Sequence, residues 1–158
     1  MERVNAILNN PIYIANLKII EGSEKKRIFC KHDLEHFLNV ARIMKIKALE
    51  DNLPIATSII YATSFLHDLG RSIQYTLGED HAKASARLAR EILPTCNFTF
   101  EEIELIAFAI QNHNSKDSNE PLAKLLCYAD KISRNCFICP AKKACNWPEN
   151  KKNKGVTI

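Results

Sequence analysis

A histidine and an aspartate, His67 and Asp68, stand side by side directly after the apolar segment 54–66. That segment predicts a largely buried helix with Pro54 in its first turn, and Gly70 offers a left-handed stop just beyond the pair. Successive helical side chains point about 100° apart, so the two residues do not both belong to one surface stripe, but they can flank a single point in space. A cation bound there by an imidazole nitrogen and a carboxylate oxygen accounts for both.

The rest of the chain also reads as helix. Helical spacing of apolar residues, capping signals and prolines predict helices over residues 2–20 (broken at Asn10–Pro11), 31–52, 54–66, 80–93, 99–112 and 121–134, with a loop at 71–80. No strand-like alternation or hairpin turn competes with this pattern. We therefore predict an all-α domain of about six to seven helices over residues 1–135, followed by a cysteine-containing tail over 136–158.

Charge and hydropathy exclude little about function. The 22 lysines and arginines exceed the 18 acidic residues, for a net charge of +4, which fits an anionic substrate as well as a nucleic acid. No apolar run approaches the roughly 18 residues of a membrane helix. The first ten residues, MERVNAILNN, do not resemble a secretion signal. We expect a cytoplasmic protein with no membrane partner and largely reduced cysteines.

Four of the five histidines lie at the start or end of a predicted helix. Asp130 stands among apolar neighbours in the last long helix, where a carboxylate needs a partner if it is buried. Imidazole nitrogens combined with carboxylate oxygens suit iron, manganese, cobalt or zinc better than magnesium.

The order His36, His67–Asp68, Asp130 resembles the HD superfamily of metal-dependent phosphohydrolases. His36 opens HFLNVA, the doublet lies in LHDLG, and Asp130 lies in ADKI; the similarity covers residues 36–134. The resemblance implies an HD-type helical bundle that hydrolyses a small phosphate ester, a nucleotide or related compound, by metal-activated water. A small phosphorylated substrate is then the expected partner, rather than a nucleic acid.

Two further histidines, His81 and His113, fall where the two-metal members of that superfamily carry metal ligands. The resemblance implies that Asp68 bridges two ions, with His36, His67 and Asp130 on one and the two further histidines on the other. In one-metal members the equivalent residues contact the substrate, so one or two ions remain open, and we favour two.

Arg71, just past the doublet, and Lys131, just past Asp130, are the nearest cations for phosphate contacts, and with Asp68 they form the predicted catalytic set. A surface ion pair is the alternative for Arg71. His32 shares a helical face with His36, which favours a hydrogen bond at the helix start or a role in orienting His36.

Two other functions fit the same residues. A branch of the superfamily holds two irons with this ligand set and oxidises its substrate with O2. A non-catalytic module that senses nucleotide or redox state is the second alternative. The oligomeric state is not indicated by the sequence.

The tail carries three closely spaced cysteines, Cys136, Cys139 and Cys145. Their spacing is typical of part of a zinc site or of an iron–sulfur ligand run, one cysteine short in either case. A redox-sensitive thiol pair and plain packing are the alternatives. Cys127 could reach back as a fourth ligand, whereas Cys30 and Cys96 are expected to be small buried hydrophobes.

Overall fold

The computed structural model describes residues 1–114 and 118–157. In this part of the chain the secondary structure is helical, as predicted, with eight α-helices rather than six or seven: α1 Glu2–Leu8, α2 Pro11–Ser23, α3 Leu34–Glu50, α4 Thr57–Leu66, α5 Arg71–Leu77, α6 His81–Ile92, α7 Phe100–Asn112 and α8 Pro121–Ile132. Short 3-10 helices follow α6 (Leu93–Cys96) and α8 (Cys136–Ile138, Lys142–Ala144 and Glu149–Lys151).

Local capping signals set several helix ends where the sequence predicts them. Asn10 accepts hydrogen bonds from the backbone amides of Ile12 and Tyr13, so the break at Asn10–Pro11 separates α1 from α2. Thr99 and Glu102 form both hydrogen bonds of a capping box at the start of α7.

The region around Gly70 differs from the prediction. Residues 71–77 form α5 rather than a loop, and α4 begins at Thr57, so Pro54 precedes the helix instead of lying in its first turn. Gly70 is right-handed, with φ −67°, so the expected left-handed stop is wrong. Close packing requires a glycine at position 70, because a Cβ atom there would lie 2.4 Å from both the His81 carbonyl oxygen and the Ser85 backbone nitrogen.

Helix α3 packs against α4 and α8, and α6 packs against α7, around one core that includes Phe37, Phe65 and Ile106. The Ser64 hydroxyl donates to the Phe37 carbonyl oxygen at 2.6 Å, which ties α4 to α3 inside that core. The site residues on α3, α4, α6 and α8 are therefore held by buried contacts.

The segment after α8 packs back onto the end of that helix. The Asn153 amide donates to the carbonyl oxygens of Lys131, Ile132 and Arg134. A domain boundary at residue 135 stays a prediction. Among the described helices, none combines the length and hydropathy needed to cross a membrane.

Candidate metal centre

The first group of ligand-type side chains is His36, His67, Asp68 and Asp130. Each offers one atom, and these atoms all lie within 4.8 Å of one another. His36 Nε2 is 3.2 Å from Asp130 Oδ1, and His67 Nε2 is 3.4 Å from Asp68 Oδ2. The start of α3, the end of α4 and the last turn of α8 thus meet at one point.

A second group joins the first through Asp68. His81 and His113 offer ligand atoms within 4.8 Å of each other and of an Asp68 oxygen. His81 Nε2 lies 3.5 Å from Asp68 Oδ1, the oxygen that does not face His67. The two carboxylate oxygens of one aspartate therefore face the two groups.

Backbone hydrogen bonds orient two of the imidazoles. His67 Nδ1 is 2.6 Å from the Ser64 carbonyl oxygen, and His113 Nδ1 is 2.6 Å from that of Ile110. A carbonyl accepts but cannot donate, so each Nδ1 carries a proton, which leaves Nε2 as the nitrogen that binds a metal once it is deprotonated.

The two groups contain buried polar atoms without hydrogen-bond partners, and these atoms indicate whether a cation fits between them. His67 Nε2 and His81 Nε2 are buried and have no hydrogen-bond partner in the described part of the chain, and Asp68 Oδ1 has none either, although the Arg71 cation lies 3.0 Å from it. Such atoms are costly unless something else satisfies them. Imidazole nitrogens with carboxylate oxygens suit a divalent transition metal, so the residues present fit one or two such ions.

Burial and neighbouring charges set the protonation states. Burial lowers the pKa of His36 to about 4 and also lowers the pKa values of His81 and His113, which keeps these imidazoles neutral. Burial acts in the same direction on His67, but the adjacent carboxylates of Asp68 and Asp130 outweigh it and raise the His67 pKa.

The two carboxylates stay ionised. Burial acts to raise the pKa of Asp68, but the positive charges of His67 and Arg71 outweigh it and lower that pKa. For Asp130, the neighbouring imidazoles of His36 and His67 and the Arg134 guanidinium likewise overcome burial and hold the pKa well below its usual range. Deprotonated carboxylates and neutral imidazoles are the forms that bind metal.

Of the two predicted cations, the structure brings one to the centre. Arg71 Nε lies 3.0 Å from Asp68 Oδ1. Lys131 is exposed, and its ammonium donates to Cys127 Sγ at 3.0 Å. Sequence reasoning missed Arg134, which donates to Asp130 Oδ1 at 2.6 Å and lies 3.4 Å from His36 Nε2. The four-residue spacing between Asp130 and Arg134 could have indicated this contact.

Asp68 also lies near His32, which connects it to Glu24 and Tyr75. His32 Nε2 lies 3.6 Å from Asp68 Oδ2, and its Nδ1 contacts Glu24. Glu24 also accepts a hydrogen bond from the Tyr75 hydroxyl. Sequence reasoning placed His32 near the start of α3 but connected it to His36, and no pattern in the polar segment 21–27 indicates Glu24.

A cavity of about 370 Å³ opens beside the first group, and its lining includes Lys31, His36, Ser133 and Arg134. Its volume is within the range of small-molecule sites. Asp33 and Glu35 also line this cavity, so its charge is mixed, and Lys31 and Arg134 are the lining groups that suit contact with an anionic ligand.

A helical bundle that gathers histidines and aspartates into two groups sharing one carboxylate defines a metal-binding class of protein. Residues 33–135 match the family model named HD domain, and the chain belongs to this family.

Two comparisons extend over most of the chain. An uncharacterized protein of Clostridium beijerinckii is 46% identical over 97% of this chain and 97% of its own length. The crystal structure of a predicted HD superfamily hydrolase from an uncultured Thermotogales bacterium superposes with a TM-score of 0.64 at 23% identity, covering 88% of this chain and 80% of the other. The second likeness shows the HD fold.

A shorter match is to the bifunctional uridylyltransferase/uridylyl-removing enzyme of Nitrobacter hamburgensis, 40% identical over 35% of this chain. The matched region is only 6% of that enzyme's length.

Proposed function

We propose that this protein is a metal-dependent phosphohydrolase that cleaves a small phosphate ester, a nucleotide or a related compound. The observation that carries the proposal is the position of Asp68, whose two oxygens face two groups of ligand-type side chains. A carboxylate placed in this way suits a pair of divalent ions, which is a recurring arrangement in enzymes that displace groups at phosphorus.

In this proposal His36, His67, Asp68 and Asp130 hold one ion, and Asp68 with His81 and His113 holds the other. When bound, such ions supply hydroxide at neutral pH and neutralise phosphoryl oxygens.

The protein's own groups orient the candidate ligands and line the cavity beside them. The Ser64 and Ile110 carbonyls fix the tautomers of His67 and His113. Arg134 and Lys31 line the cavity beside His36, where they donate hydrogen bonds to the substrate's phosphoryl oxygens. Arg71 holds the Asp68 carboxylate in its ionised form and in place.

Two relatives support the reaction class. One is a predicted HD superfamily hydrolase, and another is named as an enzyme that removes uridylyl groups, which are nucleotidyl groups. The cavity volume of about 370 Å³ also suits a nucleotide-sized ligand.

The test is a hydrolysis screen of the purified protein with its own metals. Nucleoside mono-, di- and triphosphates and p-nitrophenyl phosphate are incubated with the protein, and free phosphate and nucleoside products are measured. We expect hydrolysis of at least one nucleotide, abolished in Asp130→Asn and retained in Asp51→Asn, since Asp51 is exposed at the end of α3. Metal-loaded protein that hydrolyses none of them would contradict the proposal; substrate-dependent O2 uptake would then identify the oxygenase alternative, and nucleotide binding without turnover the sensor.

A further inference from the structure

Four of the six cysteines surround one small cavity at the end of α8. Its lining comprises Cys30, Cys136, Cys139 and Cys145, together with Phe29, Lys142 and Lys152. Cys30 precedes α3, whereas the other three follow α8. All four are free thiols, so no disulfide accounts for their convergence.

The position of Cys30 supplies what the tail lacks. The tail alone has three cysteines, one fewer than a four-thiolate site needs. Cys127 is not among the lining residues and instead accepts a hydrogen bond from Lys131. The fourth thiol comes from a segment more than a hundred residues earlier in the chain.

The charges around the cavity argue against simple packing of small hydrophobic side chains. Lys152 is only 8% exposed, although ammonium groups are rarely buried. Its Nζ donates to the Lys142 carbonyl oxygen at 3.2 Å and to Glu149 at 2.6 Å. A buried ammonium at the wall of this thiol-lined cavity suits an occupant that carries negative charge.

The separation of the thiols distinguishes a cluster from a single ion. Four sulfurs bound to one zinc ion at 2.3 Å stand about 3.8 Å apart. Within residues 1–114 and 118–157, the groups whose ligand atoms all lie within 4.8 Å of one another are the two histidine–aspartate groups, and no set of cysteines is among them. In any three of these cysteines at least one pair of sulfurs is therefore more than 4.8 Å apart, which is wider than the spacing around one zinc ion and agrees with ligands that each bind a different iron of a cluster.

We propose that Cys30, Cys136, Cys139 and Cys145 ligate a [4Fe–4S] cluster. One thiolate binds each iron, and Lys142 and Lys152 offset the negative charge of the four thiolates. The cluster joins the segment before α3 to the segment after α8. Cys30 and Cys139 also line the larger cavity that contains His36 and Arg134, so the cluster stabilises one wall of that cavity.

The test is the iron and acid-labile sulfide content of the full chain, purified without oxygen from iron-supplied cells. We expect about four sulfides per chain with visible absorption that bleaches on reduction. Sulfide falls to background in Cys30→Ser and in Cys136→Ser. It is unchanged in Cys127→Ser, which removes a half-buried thiol outside the cavity, and in Asp68→Ala, which alters the other metal centre. Because only a cluster contributes sulfide, iron at the histidine–aspartate groups cannot produce this result.

Several results would overturn the proposal. Wild-type protein that contains no sulfide, even after incubation with iron and sulfide under reducing conditions, would do so whether or not the variants fold. One zinc per chain that is lost with Cys136 would replace the cluster with a zinc site. Sulfide retained in full by folded Cys30→Ser would exclude Cys30 as a ligand. None of these readouts depends on hydrolysis, so the proposed function is tested separately.

Discussion

The Arg134 guanidinium donates a 2.6 Å hydrogen bond to Asp130 Oδ1, so a carboxylate assigned to the first metal group is paired with a cation at the cavity wall. Arg134 is itself buried, and its neighbours include His36. One end of this guanidinium thus positions a candidate ligand, while its location in the cavity lining suits contact with a substrate anion.

Arg134→Ala is expected to reduce kcat/KM for the hydrolysed ester by roughly 30-fold, which corresponds to about 2 kcal/mol for a lost charge-assisted hydrogen bond. Arg134→Lys should recover only part of the loss, because an ammonium does not reproduce the planar fork of a guanidinium. Steady-state kinetics test this, with Arg87→Ala as the control since Arg87 pairs with Glu79 on the surface. Unchanged kinetics in Arg134→Ala would rule out the proposed contact.

Asp68→Ala is expected to remove metal from both groups and to abolish activity, because both groups share this residue. Elemental analysis and circular dichroism test the prediction; helical content should stay nearly intact. Asp51→Ala, which removes an exposed carboxylate from the end of α3, should keep its metal. If Asp68→Ala retains full metal content, the assignment of the centre is wrong.

Gly70→Ala is expected to destabilise the fold by roughly 3 kcal/mol or to displace His81, since the added Cβ would meet backbone atoms at 2.4 Å. Gly22→Ala is a matched control inside α2, where a Cβ meets nothing within 4 Å. That change should stabilise the protein by roughly 0.5–1 kcal/mol. Denaturant unfolding and metal content measure both effects, and equal stability of the two variants would contradict the close approach.

Glu24→Gln is expected to lower stability at neutral pH by about 2 kcal/mol. Burial acts to raise the pKa of Glu24, but hydrogen bonds from His32 and Tyr75 outweigh it and lower the pKa from 4.5 to about 2. A lowered carboxyl pKa stabilises the folded state above pH 4.5, and this contribution is lost as the pH falls towards 2.

The difference in unfolding free energy between wild type and Glu24→Gln should therefore be constant from pH 7 to 5 and shrink below pH 4.5. Unfolding in denaturant at a series of pH values measures it. Glu35→Gln, at an exposed position in the first turn of α3, serves as the control. A difference that grows as the pH falls would show that the ionised carboxylate of Glu24 is not the stabilising form.

Much of the fold follows from local patterns in the sequence. Helical spacing and capping residues predict the all-α class, and the order His36, His67–Asp68, Asp130 predicts the HD family; both predictions are confirmed. The same motifs name six residues that the structure brings together in two groups, and their metal-binding roles are part of the proposed function. Helices and short motifs can be predicted from the sequence because each depends on neighbours within a few positions in the chain.

The tertiary structure decided what depends on contacts between distant segments. Gly70 signals a left-handed stop by its type, yet its role comes from the approach of α6. Lys131 and Arg134 are both cationic, but of the two it is Arg134 that contacts Asp130, because the direction of each side chain depends on its place at the end of α8. Cys30 looks solitary in the sequence and joins three other thiols only when the chain folds. Local sequence determines helices and motifs, whereas packing determines which side chains share a site.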